Sequence, residues 1–246
     1  MTLARAPEGT IAASDSALVL AAAALGARHD IEQDRPEPAP AWRKLSEIVP
    51  WLDRARQACV EPPHHAAKAS EWLLDNEFHV RRAVRQVRED MPATFYRRLP
   101  RLAAPEYLGI PRIMAVAHGL LDAAHMHISL ASAADFVKAY QQDRSLTIAE
   151  LWALPAMLRL ACLERLVLAF SELLPDLTPP FEPTPGLAPH EALDPTEGVS
   201  HAISALMAAS NTSWKAFFEQ VSRVEAPAWA RAQASRASCS CAPHPS

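Results

Sequence analysis

The stretch Thr147-Ile-Ala-Glu150-Leu-Trp-Ala-Leu-Pro155-Ala-Met-Leu-Arg-Leu-Ala-Cys-Leu-Glu-Arg-Leu-Val-Leu-Ala-Phe-Ser-Glu-Leu-Leu174 decides the fold. Its first four residues read as a capping box. The Thr147 hydroxyl accepts from the N–H three residues on, and the Glu150 carboxylate reaches back to the N–H of Thr147. A helix therefore opens here and runs toward Leu174. It is apolar nearly all round, but Arg159, Glu164, Arg165 and Glu172 interrupt it. That pattern predicts a buried helix of a soluble bundle rather than a membrane span. Pro155 lies eight residues inside and is expected to kink or break it, because proline lacks the N–H and clashes with the preceding turn.

Upstream of this helix, apolar residues recur at three- and four-residue steps over about 66–90, through Trp72, Leu73, Asn76, His79, Val80, Ala83, Val84 and Val87, and Pro92 stops the run. Pro111 marks the start of another helix, with Ile113, Val116, Ala117, Leu120 and Leu121 as its stripe. Ser132 is expected to cap a further helix carrying Phe136, Val137 and Tyr140. A short helix is expected over about 41–58, after the Pro-rich spacer Arg35 to Pro40. Downstream, Pro175 to Pro195 holds seven prolines in 21 residues and reads as a linker. Two helices are expected beyond it, at about 198–209 and 213–225. The fold class is all-α, a packed helical bundle with Pro-rich linkers and no significant sheet. The expected division is a loosely ordered lead over 1–63, a helical core module over 64–174, the linker over 175–196, a helical pair over 197–225, and a disordered tail over 226–246.

Composition narrows the functions. Among 246 residues, half are apolar and 21% are charged. The formal charge is 24 − 28 = −4, which gives no general attraction for nucleic acid. Six glycines leave little for a phosphate-cradling loop. The four cysteines include a Cys239-x-Cys241 pair that does not fit a Cys-x-x-Cys metal site, and the set suits a reducing compartment. Only nine residues, Ala17 to Leu25, form the apolar run of the lead, too short to span a bilayer.

Candidate chemistry is sparse. His118, His125 and His127 lie close in sequence, but a di-iron bundle needs repeated carboxylate–histidine pairs and only Asp122-x-x-His125 is present. Glu77 and Arg81 read as a surface pair at i,i+4. Arg97, Arg98 and Arg101 form a basic cluster suited to an anion or to neighbouring acids. Trp72, Leu73 or Leu74, Trp152 and Leu158 are expected in the core. No aspartate is followed by another two positions on, as a nucleotide-sugar transferase of the common type requires. Gln220-Val-Ser-Arg223-Val224 lacks the Trp of the Gln-x-x-Arg-Trp found in processive synthases. There is no nucleophile elbow, Walker loop or dinucleotide fingerprint. The residues point to no self-contained active site, no metal and no cofactor.

Several strings resemble the N-terminal region of cyclic β-1,2-glucan synthases. They are Ala69-Ser-Glu71-Trp72-Leu73-Leu74-Asp75-Asn76; Val87-Arg88-Glu89-Asp90-Met-Pro92 with Phe95-Tyr96-Arg-Arg-Leu99-Pro100; Gly109-Ile-Pro111-Arg112; Phe136-Val-Lys-Ala-Tyr140; Leu146-Thr147-Ile-Ala-Glu150-Leu151-Trp152-Ala-Leu-Pro155-Ala-Met-Leu-Arg159-Leu160; and His201-Ala-Ile-Ser204 through Trp214-Lys-Ala-Phe-Phe218 to Ser222. They run in order over about 66–225. The resemblance implies part of a very large membrane protein that uses UDP-glucose to build and cyclise a β-1,2-glucan. The transferase core of such proteins lies downstream of the region matched, so no catalytic residue carries over. It implies a truncated, non-catalytic scaffold whose partner is the remainder of a synthase, placed in the cytoplasm at the inner face of the membrane. The alternative is a free-standing helical adaptor that binds another protein. Two departures stand out. Glu77 separates Asn76 from Phe78, where the family goes straight to an aromatic or aliphatic residue, and this shifts the helical phase by about 100°. After Glu225 the resemblance ends, and the Ala-, Arg- and Ser-rich tail has the composition of an out-of-frame read.

Overall fold

A computed structural model describes residues 8–32, 40–107, 109–187 and 194–222; the expected tail lies outside them, as do residues 35–39 of the Pro-rich spacer. Among the described residues the fold is helical. In chain order the helices are α1 (Glu8–Arg28), α2 (Pro40–Ala58), α3 (Ala67–Asp75), α4 (Glu77–Asp90), the single turn α5 (Ala93–Tyr96), α6 (Arg112–Ala123), α7 (Leu130–Asp143), α8 (Ile148–Leu173), α9 (Pro195–Asn211) and α10 (Trp214–Val221). Two short strands, β1 (Ile31–Glu32) and β2 (Arg101–Leu102), pair antiparallel.

α8 is the axis. Every residue from Ala153 to Glu164 is buried, so the helix has no solvent face over three turns. α9, α6, α4 and α2 pack around it. The capping box forms as the sequence requires: the Thr147 hydroxyl accepts from the Glu150 N–H, and the Glu150 carboxylate from the Thr147 N–H at 2.9 Å. Pro155 does not end the helix. One N–H is lost there, and the helices wrapped around this segment hold the backbone in place.

Several boundaries differ from the expected ones. The 66–90 run is two helices. It breaks at Asn76, whose side-chain amide donates to the Trp72 carbonyl, immediately before Glu77. The helix assigned to a Ser132 cap opens at Ser129 instead, and Ser132 is the other half of that box. The lead over 1–63 holds two helices. α1 lies along α7 and α6, and its Gly26 sits so close that a Cβ would be 3.0 Å from the Tyr140 carbonyl oxygen. The Pro-rich linker does not separate two bodies. Its first part, through Leu187, is tied down, and α9 lies against α8, α3 and α4. Trp51 Nε1 donates to the Thr178 carbonyl at 2.8 Å, and Arg165 Nη2 to that of Leu187 at 3.2 Å.

The core corrects the placement of Trp152. Leu73 and Leu158 are buried, and Trp72 is half-buried. Leu74 is 36% exposed and Trp152 64% exposed. Among the described residues, Trp51 is the fully buried tryptophan. An all-apolar helix gives no periodic contrast by which sequence could tell that Trp152 faces out.

Candidate functional site

The resembling strings meet one another in space. Arg112, the first residue of α6, reaches the third residue of α8 across 38 positions. Its Nε and Nη2 donate to the two Glu150 oxygens at 2.8 and 2.6 Å, and Nη2 also donates to the Ser145 carbonyl. Both side chains are essentially inaccessible, at 2% and 0%. One carboxylate therefore caps α8 and neutralises a buried guanidinium. Asp90, at the end of α4, faces Arg159 of α8 at 3.5 Å. Tyr140 donates to or accepts from His29 Nδ1 at 2.8 Å and so ties the end of α1 to α7. Burial, with the nearby Arg112 and Arg28 cations, lowers His29 to about 4.

A second polar centre lies under the Pro-rich segment. Lys44 Nζ stands 3.5 Å from Glu164, donates to the Thr184 hydroxyl at 3.2 Å, and lies 5.0 Å from the centre of the Phe181 ring. His118 Nε2 is 3.4 Å from the same Glu164 oxygen. Burial alone would raise the Glu164 carboxyl, but His118 and Lys44 bring it below the usual range. Burial holds His118 below its ordinary value against the pull of Glu164. These side chains are fastened between α2, α6, α8 and the 175–187 segment, so the cluster acts as a clamp. His125 and His127 do not join it; they stand exposed at the turn after α6. Among the described residues no group of three or more His, Cys, Asp or Glu could hold a metal.

Two surface features remain. Trp152 stacks on Phe218 of α10 with ring centres 5.0 Å apart and planes 17° apart. Ile148, one turn earlier and 73% exposed, continues this apolar face. Half-buried Trp214 anchors α10 by donating to the Ala209 carbonyl. The second is a cleft of about 330 Å³ between α2 and α4.

Of the other residues in the resembling strings, Leu99, Pro111, Leu146, Leu151 and Pro155 are buried. Pro100 is half-buried. Glu71, Asp75, Arg88, Glu89 and Pro92 are exposed. Tyr96 is buried and the neighbouring Phe95 half-buried. The basic cluster also separates, since Arg101 is buried in β2 while Arg97 and Arg98 face solvent. The association of Lys44, His118 and Glu164 escaped sequence reasoning, because they are spread over three helices with no local spacing between them.

No family model matches the chain. The cyclic beta-(1,2)-glucan synthase NdvB of Rhizobium meliloti (strain 1021) is 41% identical to it over 113 residues. The chain is related to this glucan synthase. The match takes in 46% of the chain and 4% of the synthase, so the chain spans only a small part of its relative. Among the described residues, no helix is long and apolar enough to cross a membrane.

Proposed function

We propose that this chain is a non-catalytic helical module of a cyclic β-1,2-glucan synthase, lying ahead of the transferase core. Its role is scaffolding: it docks against the rest of the synthase at the cytoplasmic face of the membrane. The 41% identity over 113 residues to a cyclic beta-(1,2)-glucan synthase carries this reading. Support comes from where the resembling residues go. Arg112, Glu150, Asp90, Arg159 and Tyr140 are engaged with other parts of the bundle, as scaffold residues are. UDP-glucose belongs, in this reading, to the transferase core and not to this chain.

The test is to mix the purified chain with the remaining part of such a synthase in detergent and supply UDP-glucose. A stable complex is expected, with neither UDP-glucose hydrolysis nor glucan elongation by the chain alone. Metal-dependent turnover by the chain alone, in a preparation free of other proteins, overturns the reading. Failure to bind the synthase favours the free-standing adaptor, for which the exposed Ile148 and Trp152, with half-buried Phe218 stacked on Trp152, are the supporting observation.

A further inference from the structure

The cleft between α2 and α4 is polarised. Val49 and Leu52 of α2, Leu73 of α3, and Val80 and Val84 of α4 give it an apolar floor. At one end of the rim, Arg56 and Arg81 are neutralised: Arg56 Nε lies 2.7 Å from Glu77, and Arg81 lies 2.6 Å from Glu77 and 3.1 Å from Asp53. At the other end stand Arg85 and Arg88, exposed and without an ion-pair partner among the described residues. Arg81, Arg85 and Arg88 follow one another at i, i+4 and i+7. Like charges at such spacing disfavour a helix slightly unless a counter-charge sits among them. From Glu77 to Arg88 the rim extends roughly 16 Å at 1.5 Å per residue.

We propose that this cleft binds a single-chain anionic amphiphile, with its apolar tail on the Val49–Leu52–Val80–Val84 floor and its anionic head between Arg85 and Arg88. A simple anion would use the arginines and leave the floor unused. An uncharged apolar ligand would use the floor and ignore the cations. A molecule with both ends matches the division of the cleft, whose volume stands at the small end of ligand sites. This inference is independent of the synthase reading.

The experiment titrates the full chain by calorimetry with dodecyl phosphate below its micelle concentration. One saturable site is expected. Arg85→Gln with Arg88→Gln should weaken it at least tenfold, and Val49→Phe, which fills the floor and keeps every charge, should weaken it by a similar factor. Both variants are first checked for unchanged melting temperature, and any that unfolds is replaced by Arg88→Gln alone or Leu52→Phe. Equal affinity for dodecyltrimethylammonium overturns the proposal, because the arginines would then play no part. Equal affinity for inorganic phosphate overturns it as well, because the floor would then play none. Binding to phosphatidylglycerol vesicles without binding to monomeric dodecyl phosphate also overturns it, and makes this face a membrane contact.

Discussion

Two arginine–glutamate networks, one in the interior of this bundle and one on its surface, share similar geometry and have different consequences. Arg112 and Glu150 meet at 2.6–2.8 Å with both side chains sealed from water. Arg56, Glu77 and Arg81 meet at 2.6–2.7 Å with 28–60% of each side chain exposed. At the surface, water competes for the charges and salt screens them, so the pair contributes little even though the hydrogen bonds from Arg56 and Arg81 lower the Glu77 carboxyl. In the interior, each partner makes the other tolerable. Removal of one leaves a charge that neither water nor a neighbour can satisfy. A short distance therefore says little about importance until burial is known.

The largest expected effect follows directly. Glu150→Ala should destabilise the chain by about 3–5 kcal/mol in urea unfolding, because Arg112 stays buried without a counter-charge. Arg112→Met combined with Glu150→Leu should recover most of the loss, since well-packed apolar residues commonly replace a buried pair without penalty. If the single variant costs no more than a surface pair does, the contrast between the two networks fails.

The two tryptophans sharpen the same contrast without charge. Trp51→Ala should cost about 3–5 kcal/mol, the usual range for a buried large aromatic. Trp152→Ala should cost only about 0.5–1.5 kcal/mol, the worth of its stack on Phe218. Denaturant midpoints of the two variants measured side by side decide this.

Acid should find the buried histidine. The folded chain holds His29 at about 4 against an ordinary 6.5. Below about pH 6.5 the unfolded chain binds a proton that the folded chain refuses, so stability falls as pH drops toward 4. The loss approaches about 3 kcal/mol at 1.36 kcal/mol per unit. His118 acts in the same direction, and Glu164 joins below about pH 4.5, where its unfolded carboxyl protonates first. Urea midpoints between pH 7 and 4 should fall less steeply for His29→Gln than for the parent chain. Equal slopes would assign the acid sensitivity elsewhere.

The smallest effect belongs to the surface network. Glu77→Ala should cost less than about 1 kcal/mol, and less again in high salt.

What the sequence revealed of the fold was local. The capping box at Thr147 and Glu150, the helix start at Pro111 and the helix over 41–58 are each written in a few adjacent residues, and each forms. α1 was not legible as a helix, because its buried face is made of Leu18, Ala22 and Gly26, whose small side chains give little apolar contrast. Trp152 was misplaced because an apolar helix does not declare its one wet edge. The Arg112–Glu150 pair and the Lys44–His118–Glu164 clamp join positions 38 to 120 residues apart, and no spacing rule reaches across such distances. The cleft arginines were visible as a charged helix face, but their lack of partners on one side only emerged once α2 was in place.

The tied-down proline segment makes covalent continuity there nearly redundant. α9 packs against α8, α3 and α4 and buries Val199, Ala202, Ile203, Ala205 and Leu206, and its Gly198 lies so near α8 that a Cβ would stand 3.1 Å from that of Ala169. A single backbone cut between Thr178 and Thr184 would separate two fragments that still share one core. The bundle could then be expressed as two co-folding pieces, or recast with new ends opened at that point.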